Sequence, residues 1–224
     1  MRARSEEWEG RVQRVEGGSV VVRKQAKQQR SREKVQLILD VTLEMLGNTP
    51  AEKITTNDIA KTAGVNIASL YQFFPKKEAV FFELYRQWLE QTLTLLDGVD
   101  AQFDGSEGLE AYADAVFDCL STDESVNTPG HWKLRFALGN SPELAELNAR
   151  HEEKAFRRII AAQEKFSRKV TPEQARALAR LQHHVSVSCL YAAAEAAGQP
   201  EHGILLEWCR KTVRLVYDAE KLSA

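Results

Sequence analysis

Apolar residues recur at helical spacing from about residue 31 onward. Val35, Ile38, Leu39, Thr42, Met45 and Leu46 form an i, i+3, i+4, i+7 stripe, which predicts a first helix from Ala26 or Ser31 to Leu46. Gly47-Asn48-Thr49-Pro50 is expected to stop it, with the glycine left-handed at the C-terminal position and the proline unable to continue. Two short helices follow. Thr55 suits the cap of the first, with Asp58 near its positive end, and Asn66 suits the cap of the second, over residues 67–73. Between them Gly64 falls where a tight turn needs positive φ, and Val65 is expected as the buried plug after the turn. Pro75 ends the second short helix. Residues 76–96 then form a long helix whose apolar face is Val80, Phe81, Leu84, Tyr85, Trp88 and Leu89.

Further helices are predicted at about 106–121, 130–139, 142–167, 172–197 and 202–220. Three of the breaks between them place Pro directly after Ser or Thr, which suits an N-cap followed by proline in the first turn. Only residues 11–22 carry any strand signal, two valine-containing runs around Glu16-Gly17-Gly18-Ser19 that could pair as a hairpin. An isolated hairpin is marginal in water, so residues 1–26 are expected to be a flexible extension. The chain is therefore expected to be all-α, with about nine helices.

Composition narrows the class. The chain has 224 residues, 43% hydrophobic and 28% charged, as a globular protein does. No apolar run reaches the length of a membrane span and no signal-peptide pattern is present, so a cytoplasmic location and no membrane partner are expected. Cys119, Cys189 and Cys209 are widely spaced and supply neither a disulfide framework nor a CxxC metal site. The net charge of −2 is unevenly spread: residues 1–77 hold 14 Lys and Arg against 9 Asp and Glu, and the remainder is acidic. A basic end on an acidic body fits a polyanion-binding segment joined to a domain with another task, although surface-charge scatter gives the same sum.

The arrangement over residues 55–78 is a helix-turn-helix: two short helices joined by Ala63-Gly64-Val65. Ala60 is small enough for the second helix to cross close over it. Leu70 and Val65 would lock the pair against Leu39 and Ile59. The second helix then turns Ile67, Ala68, Ser69, Tyr71 and Gln72 outward, and small or flat side chains near its start can enter a major groove about 12 Å wide.

These residues resemble the DNA-binding motif of the tetracycline-repressor (TetR/AcrR) family. The resemblance rests on Thr55-Thr56, Asp58-Ile59-Ala60, Ala63-Gly64-Val65, Leu70-Tyr71 and Phe74-Pro75-Lys76-Lys77-Glu78, and is close over about residues 31–96. It implies that Thr56 and Asn57 contact phosphate or an adjacent base, and that Ile67, Ala68, Ser69 and Gln72 face base edges. It implies phosphate contacts from the Tyr71 hydroxyl and from Lys77. Asn66 stands where a Ser-like cap is usual, and Ile67-Ala68 is more apolar than average. The implied organisation is a flexible extension (1–26), a three-helix DNA-binding domain (27–75) and a helical ligand-binding and dimerisation domain (76–224). The implied function is a repressor released from a pseudopalindromic, double-stranded DNA operator by a small-molecule effector.

In the body, aromatic residues and histidines mix apolar walls with polar handles, as small-molecule pockets do. Phe117, Trp132, Phe136 and His184 are the pocket candidates, and plain core packing is the alternative for each. His183 and His184 are adjacent on a helix, so their side chains should diverge by about 100° and not share an ion; no metal and no cofactor are expected. Small residues on 172–197 and an apolar face on 202–220 suggest a homodimer four-helix bundle, with Ala192, Ala193, Leu205, Trp208 and Thr212 at the interface. No nucleophile–base set, paired carboxylates or phosphate loop is visible, so an enzyme is not expected. The alternative is a helical adaptor or ligand-binding protein that does not bind DNA.

Overall fold

The computed structural model describes residues 17–139, 141–166 and 169–217, with side chains from Gln28 onward. The described residues form nine α-helices and one short 3₁₀ turn, and no strand. The helices are α1 (Gly17–Asn48), α2 (Thr56–Thr62), α3 (Ile67–Phe73), α4 (Lys77–Asp100) and α5 (Leu109–Thr122), then α6 (Pro129–Ala137), α7 (Pro142–Lys165), α8 (Pro172–Glu195) and α9 (His202–Tyr217); the turn, Ala51–Lys53, precedes α2. The chain divides into two units, residues 1–37 and 38–224, with the boundary inside α1.

In the first unit, the hairpin expected over residues 11–22 is not formed where it can be described. Helix α1 already begins at Gly17, and the earlier residues lie outside the described ones. The reason is energetic. A hairpin with no third strand has little to pack on, whereas extending a helix adds one hydrogen bond for each residue fixed. Farther along, Gln29 Nε2 donates to Glu33 Oε1 across one exposed turn (3.1 Å).

In the second unit, Ile38, Leu39, Thr42 and Leu46 bury the inner face of α1. The Thr42 hydroxyl satisfies itself on the Ile38 carbonyl (2.6 Å). Gly47 does not take the left-handed conformation expected of it. It lies inside the last turn of α1, which ends one residue later. A Cβ there would make only ordinary contact with the Gly130 amide, at 3.8 Å, so neither turn nor packing demands a glycine at this position.

The Ser–Pro and Thr–Pro breaks do start helices. The Ser141 and Thr171 hydroxyls accept from the Leu144 and Gln174 amides (3.1 and 3.3 Å), and Pro sits in the first turn of α6, α7 and α8. Helix α4 is the spine of the body and packs against α5, α6 and α7, while α8 packs against α7 and α9. Trp88 on α4 is pinned by its indole N–H to the Val126 carbonyl (2.8 Å). Arg210 and Arg214 of α9 pair with Asp118 and Asp114 of α5 on a partly exposed flank, where such pairs add little stability.

Candidate nucleic-acid interface and interior cavity

The motif closes as its residues dictate. Thr55 caps α2 reciprocally with Asp58: the Asp58 amide donates to the Thr55 hydroxyl (3.2 Å) and the Thr55 amide to the Asp58 carboxylate (3.2 Å). The Thr55 hydroxyl also donates to that carboxylate (2.6 Å), and this bond, with that of the Thr55 amide, holds the Asp58 carboxyl below the usual carboxylate range. Gly64 has φ +62, the left-handed turn that a side chain disfavours, and no atom would obstruct a Cβ there; the glycine is needed for its backbone alone. Asn66 caps α3 through the Ala68 amide (2.8 Å). Ile59, Ala60 and Leu70 are buried between the helices, whereas Val65 is only half-buried and less of a plug than expected.

This core leaves one face of α3 open. Ala68, Tyr71 and Gln72 are exposed and Ile67 and Ser69 half-buried, with exposed Asn57 and half-buried Thr56 on α2. The hydroxyls of Thr56 and Tyr71, fifteen residues apart in sequence, meet at 3.0 Å. Tyr71 is 50% exposed, so the two hydroxyls form a paired polar point on the surface.

Lys77 departs from expectation. Its ammonium turns inward and donates to the carbonyls of Ala51, Glu52 and Ile54 (2.9, 3.3 and 2.9 Å). An ammonium has three N–H donors, so these acceptors use its capacity. Lys77 ties the start of α4 to the 3₁₀ turn, a structural role that stands beside the phosphate contact expected of it. The neighbouring Lys76 is exposed.

Helix α6 touches both the motif's first helix and the interior of the body. A Cβ on Gly130 would lie 2.4 Å from the Leu43 carbonyl oxygen, so α6 meets α1 backbone to backbone. Lys133 Nζ donates to the Gly47 carbonyl at the C-terminal end of α1 (2.7 Å). On its other side α6 offers His131, stacked on Trp88 (5.5 Å between ring centroids), and Trp132, edge-on to Trp88 (5.3 Å).

Trp88 and Trp132 are walls of an interior cavity of about 130 Å³. Tyr85, Leu89, Leu93 and Leu190 are among its apolar lining, and Arg135, His151, Glu152, Arg158, Gln182, His183 and Ser186 supply polar groups. Three buried atoms there, His151 Nδ1, Arg158 Nε and Ser186 Oγ, have no hydrogen-bond partner among the described residues. Arg158 is anchored at its other end, donating to Asp100 (2.6 Å) and to the Tyr112 hydroxyl (2.9 Å), which itself donates to Asp100 (2.7 Å). Burial pushes the Tyr112 phenol well up and lowers His151 and His183 to about 4, with nearby cations adding to the effect on both histidines.

Of the four pocket residues expected from sequence, only Trp132 lines this cavity. Phe117 is buried elsewhere in the core, under the Arg210 guanidinium. Phe136 is 63% exposed and packs on Tyr191. His184 is exposed, and its neighbour His183 takes the wall. The missed lining residues His151, Glu152 and Arg158 share one face of α7; their i, i+1, i+7 spacing was a signal, masked by polar residues all round that helix. The divergence expected of His183 and His184 is also corrected. Their rings lie 5.3 Å apart, both against the Phe156 ring (5.6 and 6.4 Å). Of the expected interface residues, Trp208 and Thr212 are exposed, Ala192 and Leu205 half-buried, and Ala193 buried within its own chain.

The described residues are all helical, with a capped helix-turn-helix near the start and a helical body behind it, and comparison with known proteins shows what this arrangement resembles. Residues 38–84 match the family of bacterial regulatory proteins, tetR family. A 64-residue stretch is 36% identical to the nucleoid occlusion factor SlmA of Haemophilus ducreyi, covering 28% of this chain and 31% of that protein. The match thus spans about a third of that relative's length. The fold is similar to the transcriptional regulator from Cytophaga hutchinsonii (TM-score 0.61, 18% identity, 84% of this chain and 97% of that one). It is also similar to the TetR-family transcriptional regulator from Streptomyces coelicolor (TM-score 0.57, 20% identity, 82% and 96%). Residues 38–84 thus match that family's N-terminal domain, and the fold of the chain is similar to that of the two solved structures.

Proposed function

We propose that the chain is a transcriptional repressor that binds a pseudopalindromic operator as a homodimer and leaves it when a small molecule occupies the cavity of the body. The observation that carries this reading is the open face of α3, held rigid by caps at both motif helices, with the Thr56–Tyr71 hydroxyl pair at its edge. Gln72 can make a bidentate bond to adenine, the apolar Ile67 and Ala68 suit thymine methyls, and the hydroxyl pair suits a phosphate oxygen. Thr56, Asn57, Ile67, Ala68, Ser69, Tyr71 and Gln72 are the DNA-contacting set, on a domain taken as residues 27–75.

Two copies must place their α3 helices about 34–36 Å apart to read successive major grooves. For the dimer, Ile204, Trp208, Thr212 and Leu215 share one exposed stripe of α9, and Leu181 is exposed on α8. The trigger is α6. A ligand pressing on Trp132 and Arg135 would move the helix whose Gly130 and Lys133 are seated on α1. The three unpartnered polar atoms in the cavity favour an effector that both accepts and donates hydrogen bonds.

Selecting bound duplexes from a random pool with purified protein tests the first half, followed by affinity measurements on the selected site. Gln72→Ala is expected to cost about 1–3 kcal/mol of operator affinity and to relax preference at one base pair. Tyr71→Phe should weaken binding to all duplexes alike. A protein that stays monomeric and retains no duplex at low salt overturns the proposal. A compound that raises the melting temperature while releasing the operator supports the second half; one that stabilises the protein yet leaves DNA binding untouched counts against it.

A further inference from the structure

We propose that Glu152, His183 and His184 form a site for a divalent late-transition-metal cation, with Zn²⁺ as the reference ion. The three residues come from two helices, Glu152 from α7 and the histidines from α8, and their ligand atoms all lie within 4.8 Å of one another. Metal bonds of about 2.0–2.1 Å in a tetrahedral site set neighbouring ligand atoms about 3.4 Å apart. His184 is exposed and the other two are half-buried, which leaves their side chains room to rotate toward a shared ion.

Phe156 explains why two adjacent histidines converge. Its ring stands edge-to-face with both imidazoles (5.6 and 6.4 Å), on the side of α8 that meets α7. A further donor is at hand, because the His151 ring is 6.1 Å from that of His183 and its Nδ1 is buried with no partner among the described residues. Two imidazoles and one carboxylate select zinc, cobalt, nickel or copper; calcium and magnesium prefer oxygen throughout. The site does not depend on the DNA-binding reading. Glu152 and His183 also line the cavity, so an ion held there would contribute to its wall.

The test uses the full chain without an affinity tag, stripped with a chelator and titrated with Zn²⁺ by calorimetry and with Co²⁺ by visible absorption. One ion per chain is expected, with the cobalt d–d bands of a low-coordinate nitrogen–oxygen site. Loss of a supporting contact alone costs metal sites roughly 10–100-fold in affinity, so His184→Ala and Glu152→Gln should each weaken binding by at least that much. His184 is exposed, and its variant should melt with the wild type when no metal is present. His202→Gln, on α9, should bind as the wild type does. No saturable binding by the wild type, or binding unchanged in both His184→Ala and Glu152→Gln, overturns the proposal.

Discussion

The motif and the body handle their polar groups in opposite ways. In the motif the polar groups of the caps and the inner face are satisfied nearby: Thr42 by the Ile38 carbonyl, Thr55 and Asp58 by each other, Asn66 by the Ala68 amide, Lys77 by three carbonyls. In the body the cavity keeps His151 Nδ1, Arg158 Nε and Ser186 Oγ buried and unmatched among the described residues. A buried polar group left without a partner costs about 1–3 kcal/mol. The motif is finished by its own residues and offers its chemistry outward. The body instead turns polar groups inward, onto the cavity between α4, α7 and α8.

That contrast predicts where the chain is most easily broken. The largest effect should come from Arg158→Met. The guanidinium side chain is only 8% exposed and bridges Asp100 and Tyr112, so its loss removes the cation opposite Asp100 and leaves that carboxylate the Tyr112 hydroxyl. Breaking a buried pair typically costs about 3–5 kcal/mol, and the partial exposure of Asp100 places this one near the lower end. A urea unfolding series should find the midpoint lowered accordingly; an unchanged midpoint would mean the body does not rest on this network.

Next is pH. Burial lowers His131 to about 4, and its Nδ1 accepts from the Thr128 amide (3.4 Å). The unfolded chain takes up the proton near pH 6.5 and the folded chain resists it. This stability is therefore complete above about pH 7 and is lost as pH falls towards 4. Between pH 7.5 and 5 the loss is on the order of 2 kcal/mol. His131→Asn, which keeps an acceptor and cannot titrate, should remove that share of the acid loss, with His151 and His183 continuing to contribute over the same range. An unaltered slope would assign the acid sensitivity to other groups.

Gly130→Ala strikes the seam between the two regions. A methyl group 2.4 Å from the Leu43 carbonyl must push α6 off α1, because backbone cannot rotate aside. Overpacking of this kind costs about 1–3 kcal/mol. If α6 carries the signal, the variant should also change operator affinity although no DNA contact is altered. Lost stability with unchanged affinity would leave α6 a packing element only.

How much of this was legible in the sequence follows the same division. Caps and turns are written within three or four residues, so Thr55, Gly64, Asn66, Ser141 and Thr171 could each be read in place. Helix ends were softer. Gly98 weakens α4 without ending it, and the helix runs on to Asp100. The cavity is assembled from α4 to α9 by residues as far apart as Tyr85 and Tyr217, and no local pattern encodes that. Aromatic character pointed equally at Trp132, Phe117 and Phe136, yet one lines the cavity, one is core and one faces out. His183 and His184 differ by a single step around the helix, and that step decides which meets the cavity.

Lys77 is the sharpest test of where motif ends and body begins. Sequence resemblance makes it a phosphate contact; geometry makes it the clamp between α4 and the turn before α2. Lys77→Met keeps the length of the stem and removes the ammonium. It leaves the Ala51, Glu52 and Ile54 carbonyls short of a donor, and the partial exposure of that turn lets water replace some of what is lost. A stability loss of about 1–2 kcal/mol is expected from the charged hydrogen bonds. On DNA the two roles separate cleanly. A residue that neutralises a phosphate releases a counterion, so its removal lowers the slope of log affinity against log salt by about one. A clamp shifts the affinity and leaves the slope alone, because the charges meeting the phosphates are unchanged. Melting and salt-dependent binding measured on the same variant thus decide the matter. A destabilised protein with the wild-type slope supports the clamp; an undisturbed melting temperature with a reduced slope would return Lys77 to the DNA.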